Sequence, residues 1–327
     1  MYLKREKCLI VGISKSGTSA CKLLLSKGAK CFVYDDAEND SVKEAERNLA
    51  ELGATVVYKS EIEELLPEIT MVVLSPGVAI DHEIPVRAKK LGKRITGELE
   101  LASEFCLEPV IAVTGTNGKT TTCAMIDDIL KSGGVKSVLC GNVGTPFSSV
   151  LGSLDEESLV VLETSSFQLE TVSRFAPHIA VVTNITPDHL SRHYNMENYI
   201  YLKGKILVNL RESEYAVLNY DDKIVRGFGE KTRAKVVYFS TQDEVNGAYL
   251  SDGKIFYKGK FVADLNTLPI SGEHNVLNLL AAVCVAEIVG MTEDAVCEGI
   301  RSFKGVKHRI QYLRTLRGVD YFNDSKA

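Results

Sequence analysis

Thr114-Gly115-Thr116-Asn117-Gly118-Lys119-Thr120-Thr121 brings together the residue types that grip a polyphosphate. Glycines let the backbone turn tightly, so that several N–H groups point into one small concavity, and a lysine and a hydroxyl follow at once. Lys119 is placed to reach the outer phosphates, and the Thr120 hydroxyl to hold the Mg²⁺ that bridges them. That chemistry needs a turn that leaves a buried strand and opens a helix, whose positive end then faces the anion. The flanks supply both. Val110-Ile111-Ala112-Val113 reads as a buried strand, and Met125, Ile126 and Ile129 mark the apolar side of a helix. The first glycine of G-x-x-x-x-G-K-[ST] is missing, its place being taken by Val113. An ordinary turn with a solvated lysine is the bland alternative, disfavoured because strand, glycines, lysine and hydroxyl arrive in the required order.

Further candidates stand at the ends of apolar runs. Leu159-Val160-Val161-Leu162 ends in Glu163. In phosphate-loop folds an acid there reaches the Mg²⁺, directly or through water, and the alternative is a solvated strand end. A strand over 135–140 runs into Gly141-Asn142-Val143-Gly144, a turn with one polar side chain. Another, Ile179-Ala180-Val181-Val182-Thr183-Asn184, delivers the loop Ile185-Thr186-Pro187-Asp188-His189-Leu190. A lone histidine is more often structural than functional. His189 leaves the same sheet edge as the phosphate loop, so ligand and structural roles stand level. Asn195 caps a helix carrying Tyr199, Leu202, Lys203, Lys205 and Ile206. Residues two apart on a helix face different ways, so at most one of the two lysines looks into the site. Both have apolar neighbours three or four residues away, and periodicity does not choose between them. Beyond a strand at Tyr215–Asn219, residues 247–265 read as a hairpin meander with turns at Asp252-Gly253 and Lys258-Gly259. Gly272-Glu273-His274-Asn275 precedes a long apolar helix holding Asn278, whose amide either caps the helix or reads a base edge.

The elements before about residue 97 form a pattern of their own. Strands at Cys8-Leu9-Ile10-Val11-Gly12, Cys31-Phe32-Val33-Tyr34, 54–58 and Met71–Leu74 alternate with helices from Ser16 onward, over 42–52 and over 83–91. Such alternation calls for a parallel, doubly wound sheet. Gly12-Ile13-Ser14-Lys15-Ser16-Gly17, with Asp35 and Asp36 further on, has the outline of a dinucleotide fingerprint. Its middle glycine is Ser14, which weakens that reading, and a turn serving only helix–strand packing is the alternative. Ser75-Pro76-Gly77 is a second turn on the carboxyl edge, where such sheets bind ligands.

With 327 residues the chain is too long for one ordinary core. We expect an α/β protein: a Rossmann-like parallel-sheet domain over 1–97, then a P-loop α/β domain with a small antiparallel β element over 98–304. Hydrophobic content of 45% and charged content of 25% are those of a globular protein. Net charge is −5 with scattered cations, which argues against a nucleic-acid partner and leaves phosphorylated small molecules open. The eight cysteines form no C-x-x-C pair and several fall inside strands or helices, as suits a reducing compartment. Met1-Tyr2-Leu3-Lys4-Arg5-Glu6-Lys7 is charged, and the apolar run behind it is too short for a secretory signal. The most apolar later run, 276–289, carries Asn278 and Glu287 and is too short to span a bilayer. A cytoplasmic protein is expected.

With these residues placed, the sequence resembles the Mur ligases of bacterial cell-wall synthesis, over its whole length. The likeness is carried by 114–120, Gly141-Asn142-Val143-Gly144, and Glu163-Thr164-Ser165-Ser166-Phe167-Gln168-Leu169-Glu170. It continues through Asn184, Asp188-His189-Leu190, Tyr199 to Lys203, Gly272 to Asn278, His308-Arg309 and Asn323-Asp324-Ser325-Lys326-Ala327. The family's phosphate loop is likewise shortened. The Ser75-Pro76-Gly77 turn and the Asn-Asp-Ser-Lys-Ala run favour its D-glutamate-adding branch.

The resemblance implies an ATP- and Mg²⁺-dependent ligase, acting as a monomer, that joins D-glutamate to UDP-N-acetylmuramoyl-L-alanine. ATP would meet Gly115, Thr116, Asn117, Gly118, Lys119, Thr120, Thr121, Asn275, Asn278, Arg309, Asp324 and Lys326. The UDP substrate would meet Ser16, Asp35, Asp36, Ser75 and Gly77, with Asn142 and His189 at its muramoyl-alanine end. Thr120, Glu163, His189 and Lys203 would serve two magnesium ions, Lys203 after carbamylation by CO₂. It has the family's Tyr-x-x-x-Lys spacing, although Leu202 stands where many members have alanine. The implied reaction phosphorylates the substrate carboxylate, and the amine of the amino acid then displaces phosphate through a tetrahedral intermediate. Two anions must be brought together for this, so Lys119, Mg²⁺ and a helix N-terminus matter more than a protein nucleophile. Lys119, His189 and Lys203 are the expected catalytic residues. The resemblance also implies that 305–327 open a third, amino-acid-binding domain, so that this chain would bind its large ligands without completing the ligation. Three rivals remain: a nucleotide-driven switch, an NAD-dependent oxidoreductase resting on 12–17, and a Mur ligase for another amino acid.

Overall fold

Cys8, Leu9, Ile10 and Val11 are apolar without alternation, the pattern of a strand covered on both faces. In the computed structural model, which describes residues 3–270, 272–306, 311–323 and 325, this strand is the middle of a five-stranded sheet. Its strands are β1 (Lys7–Val11), β2 (Lys30–Tyr34), β3 (Thr55–Val56), β4 (Met71–Leu74) and β5 (Arg94–Gly97), in the order β3-β2-β1-β4-β5. Every pairing is parallel. The chain leaves β1 on one side and β4 on the other, so a crevice opens at their carboxyl ends. Gly12 turns there with φ of 83°, and a Cβ on it would lie 2.8 Å from the Ser75 Cβ. Ser14 Oγ and Ser75 Oγ meet across the crevice at 3.0 Å. β5 and the helix Glu98–Ser103 were not expected from the sequence. Arg94-Ile95-Thr96 is too polar and too short to read as a strand, and it is one because it pairs along β4.

The second sheet has nine strands: β6 (Val110–Thr114), β7 (Lys136–Gly141), β8 (Ser158–Glu163), β9 (Ile179–Val182), β10 (Tyr215–Asn219), β11 (Lys235–Ser240), β12 (Gly247–Ser251), β13 (Lys254–Tyr257) and β14 (Lys260–Asp264). Their order is β14-β13-β12-β11-β10-β9-β6-β8-β7, parallel from β7 to β12 and antiparallel beyond. The antiparallel element expected over 247–265 is therefore an extension of the main sheet. Its two turns carry positive φ at Asp252, Gly253, Lys258 and Gly259, as tight hairpins require. Helices Lys119–Ser132, Glu273–Val289 and Glu293–Ser302 cover one face over a core that includes Ile111, Val161 and Leu280. The other face is covered by the helix Met196–Val208 and the shorter helices, over Phe147, Leu162 and Ile206.

A third, two-stranded sheet pairs β15 (Gln311–Leu316) with β16 (Val319–Asn323). All eight cysteines are free. Among the described residues no helix is long and apolar enough to cross a membrane.

Candidate active site

The carboxyl ends of β6, β7, β8 and β9 meet at one edge of the second sheet. Gly115 leaves β6 with φ of 151°, and a Cβ on it would come within 1.9 Å of Thr183 Oγ1. Gly118 has φ of 83° and opens the helix Lys119–Ser132. The loop between them is braced by the end of β9. Thr116 N–H donates to Asn184 O at 2.9 Å, and Asn117 N–H to Asn184 Oδ1 at 2.9 Å. Asn184 Nδ2 and Thr183 Oγ1 both donate to Asn117 O, at 3.1 and 2.6 Å. Asn219, at the end of β10, holds Thr183 O in turn at 2.8 Å. With the Thr116 and Asn117 N–H groups so engaged, the first turn of the helix and the Gly118 N–H that leads into it still have donors to offer an anion.

Lys119 folds over the loop, its Nζ donating to Gly115 O at 3.0 Å and Thr116 O at 2.7 Å. Thr121 follows Thr120 in the helix's first turn. Thr120 Oγ1 is buried and has no hydrogen-bond partner. Glu163, buried at the end of β8, accepts from Asn142 Nδ2 at 2.9 Å, while Asn142 N–H donates to Glu163 O. The orphaned hydroxyl and the buried carboxylate fit Mg²⁺, which takes few protein oxygens and fills its shell from water and substrate phosphates. Among the described residues no three His, Cys, Asp or Glu side chains form a ready metal cage. Asn278, on the helix Glu273–Val289, accepts from Thr122 Oγ1 at 3.2 Å, and its Oδ1 lies where a Cβ on Gly118 would fall. Asn275 lies one turn earlier on that helix, its N–H on Gly272 O.

The two lysines that periodicity left level are separated by the packing. Lys203 is buried and donates to Gly115 O at 2.7 Å, with Nζ 4.8 Å from the centre of the Tyr199 ring. Burial first and the Lys119 charge second pull its pKa down from 10.5 to about 7, against the pull of Asp188. Lys205 turns away and donates to Glu170 O at 2.7 Å. Tyr199 shares a hydrogen bond with Thr116 Oγ1 at 3.1 Å, so the Tyr-x-x-x-Lys pair addresses the loop twice.

His189 stands half-exposed at φ 51°, with Asp188 Oδ2 3.3 Å from its Nε2 and the Phe167 ring 5.1 Å away. Among the described residues no hydrogen bond joins it to Glu163, Thr120 or Lys203. His193, which sequence reasoning passed over, is fully buried, bonded to Ser166 Oγ at 2.9 Å and stacked on Tyr199. Burial is the first cause that lowers its pKa.

Beside the first glycine turn lies a cavity of about 770 Å³ lined by Ile13, Ser14, Lys15, Asp35, Pro146 and Ser149, among others. Asp35 lines it, but its oxygens accept from Ile13 N–H at 2.8 Å and Ala37 N–H at 3.0 Å. A carboxylate engaged in this way braces the turn and still has lone pairs to offer a ligand's N–H or hydroxyl. Ser16, Asp36, Ser75 and Gly77 are not among the residues lining this cavity. Ser16 lies in the first turn of the helix Lys15–Ser26 and Gly77 is exposed. Asp36 is taken up by Tyr34 OH at 2.7 Å and His82 Nε2 at 3.0 Å. Arg192 connects this side to the second sheet, donating to Val78 O at 3.2 Å and to Glu170 at 2.6 Å. Arg309, Asp324 and Lys326 lie outside the described residues.

Fold and site together define an α/β protein of the phosphate-loop class, built on two large sheets. The chain belongs to the Mur ligase family: residues 113–286 match the Mur ligase middle domain and residues 6–97 the Mur ligase MurD-like N-terminal domain. It is 41% identical to UDP-N-acetylmuramoylalanine–D-glutamate ligase of Caldanaerobacter subterraneus, covering 100% of this chain and 73% of that one. It is 40% identical to the protein of the same name from Streptococcus uberis, covering 98% and 71%. Among solved structures it shares its fold with UDP-N-acetylmuramate:L-alanyl-gamma-D-glutamyl-meso-diaminopimelate ligase from Neisseria meningitides, at a TM-score of 0.64 and 18% identity over 92% of this chain and 99% of that one. UDP-N-acetylmuramate–alanine ligase MurC from Thermotoga maritima gives a TM-score of 0.56 at 24% identity, over 95% and 71%.

Proposed function

We propose that this protein acts as an ATP- and Mg²⁺-dependent amide ligase that adds D-glutamate to UDP-N-acetylmuramoyl-L-alanine. The observation that carries the reading is the gathering at the phosphate loop of Lys119, the unpartnered Thr120 hydroxyl and the buried Lys203 amine, with buried Glu163 at the neighbouring strand end. The names of the relatives at about 40% identity support the substrate and the amino acid. Residues 1–97 would hold the UDP substrate and 98–304 the ATP. Residues 305–327 would belong to a third unit for the amino acid, as the separate β15–β16 sheet supports.

In this reading the substrate carboxylate attacks the γ-phosphorus of ATP, ADP leaves, and the amine of D-glutamate displaces phosphate from the acyl phosphate. Lys119 swings from the loop carbonyls to the phosphates, where its charge offsets the repulsion between two anions. The first turn of the helix Lys119–Ser132 points its donors at the same oxygens. Mg²⁺, held by Thr120 and Glu163 at one site and by His189 and carbamylated Lys203 at a second, would supply the remaining positive charge. Asn142, tied to Glu163, and His189 would place the muramoyl-alanine end against the γ-phosphate.

Lys119→Ala should lower ATP–Mg²⁺ affinity by about a hundredfold or more, with affinity for UDP-N-acetylmuramoyl-L-alanine kept within about twofold. Titration calorimetry with each ligand reads this. Equal loss of both ligands from a folded variant would show that the assignment of separate sites is wrong.

A further inference from the structure

The cavity beside the first glycine turn has hydroxyls in its wall. Ser19, on the helix Lys15–Ser26, and Ser149, on Phe147–Val150, both line it. Behind them the hydroxyls form a chain. Ser149 Oγ lies 2.6 Å from Ser19 Oγ, Ser19 Oγ lies 2.6 Å from Ser148 Oγ, and Ser148 Oγ lies 2.7 Å from Glu98 Oε1. The Ser148 N–H also reaches Glu98 Oε1, at 2.6 Å. Ser19, Ser148 and Glu98 are all buried.

A serine hydroxyl has one proton to give, so the direction of donation at one end of the chain sets the rest. A backbone N–H only donates, which fixes Oε1 of Glu98 as an acceptor. Burial raises the Glu98 pKa against the pull of its two Ser148 bonds, but the N–H at 2.6 Å seeks a carboxylate or carbonyl oxygen rather than an acid hydroxyl, so any proton on Glu98 is kept off Oε1. Ser148 Oγ–H therefore donates to Glu98 and has nothing left for Ser19. Two oxygens 2.6 Å apart with no proton between them repel, so Ser19 donates to Ser148. By the same argument Ser149 donates to Ser19, and its oxygen faces the cavity with lone pairs alone.

We propose that Ser149 is a fixed hydrogen-bond acceptor in this cavity and selects a neutral N–H or O–H donor of the nucleotide, an imide N–H or a sugar hydroxyl. A phosphate oxygen at that position meets lone pairs and is rejected, and is left to Lys15 and Lys22, which line the same cavity. The inference rests on reading the cavity as the uridine site.

The test is titration calorimetry with UDP, N3-methyl-UDP, 2′-deoxy-UDP and 3′-deoxy-UDP. One analogue should bind wild type about tenfold more weakly than UDP, and its identity names the donor. Ser149→Ala should bind UDP about tenfold more weakly and no longer distinguish it from that analogue. Ser148→Ala leaves Ser19 free to donate outward and should shrink the discrimination. Glu98→Gln must still turn its amide oxygen to the Ser148 N–H and should keep it. ATP–Mg²⁺ affinity, measured on the same samples, should stay unchanged and reports on the fold. If Ser149→Ala binds UDP like wild type, or the analogue penalty survives in it, the serine chain is only a staple between helices and the inference fails. If wild type binds ATP–Mg²⁺ but no UDP, the uridine reading of the cavity is overturned, and the inference falls with it.

Discussion

A lysine buried as fully as Lys203 is costly to keep charged, and its hydrogen bond to Gly115 O, with the Tyr199 ring and Asp188, offsets only part of the desolvation. A neutral amine attacks CO₂, forming an N–C bond and releasing a proton, and so turns a cation into an anion suited to Mg²⁺. With ¹³C-bicarbonate, a carbamate resonance should be present in wild type and Lys205→Ala and missing in Lys203→Ala. The reverse pattern would mean that the wrong lysine has been chosen. The same lowered pKa bears on stability. It lies at about 7, below the ordinary 10.5, so between those limits the unfolded chain binds more protons and stability should rise with pH. Below about pH 7 the full cost of burying the charge is present. The slope this residue contributes is at most about 1.4 kcal/mol per pH unit, and denaturant titrations of Lys203→Met against wild type should show it removed. Periodicity could not choose between Lys203 and Lys205, because both have apolar neighbours at helical spacing, and only the Tyr-x-x-x-Lys resemblance favoured Lys203. The choice is made by the loop that packs on the helix, which local pattern does not contain.

At the scale of elements, the phosphate loop was legible because its chemistry is local: glycines, lysine and hydroxyl are consecutive. Its brace was not, because Thr183 and Asn184 reach it from β9 only after the sheet has formed. β5 and the helix Glu98–Ser103 escaped for a related reason, since their short, polar sequences are held by tertiary partners. Glu100 shows how strongly. It is buried and accepts from Ser173 N–H and Oγ, Arg174 N–H and Phe175 N–H, at 3.1, 2.9, 2.8 and 3.1 Å. Glu100→Ala orphans these donors and should cost about 2–4 kcal/mol in urea unfolding. The loop glycines allow a finer comparison. Gly134, at φ 78°, has nothing within 4 Å of an added Cβ, so Gly134→Ala carries only the backbone cost of about 1 kcal/mol. Gly118→Ala meets Asn278 Oδ1 at 2.2 Å as well and should lose more. Adding Asn278→Ala should restore part of that difference, and simple additivity in the double variant would disprove the clash.

For the whole molecule, the α/β class and the parallel first sheet could be read from alternating apolar runs, whereas the contacts between the sheets could not. Arg192 is one such contact, with its guanidinium shared between Val78 O and Glu170. Arg192→Ala should raise hydrogen exchange about Val78 and the 189–194 segment while leaving the core of β6 protected, and equal exchange throughout would show that the link is incidental. Strand order also constrains how the molecule is made. The first sheet is complete at Gly97 and can close while the rest is still being translated. β6 lies between β8 and β9, with Val113 opposite Glu163 and Thr114 opposite Val182. At roughly 5–20 residues per second the ribosome leaves β6 with a bare edge for several seconds, until β9 has been made. The apolar strand that leads into the phosphate loop is thus also one that a nascent-chain chaperone has reason to shield.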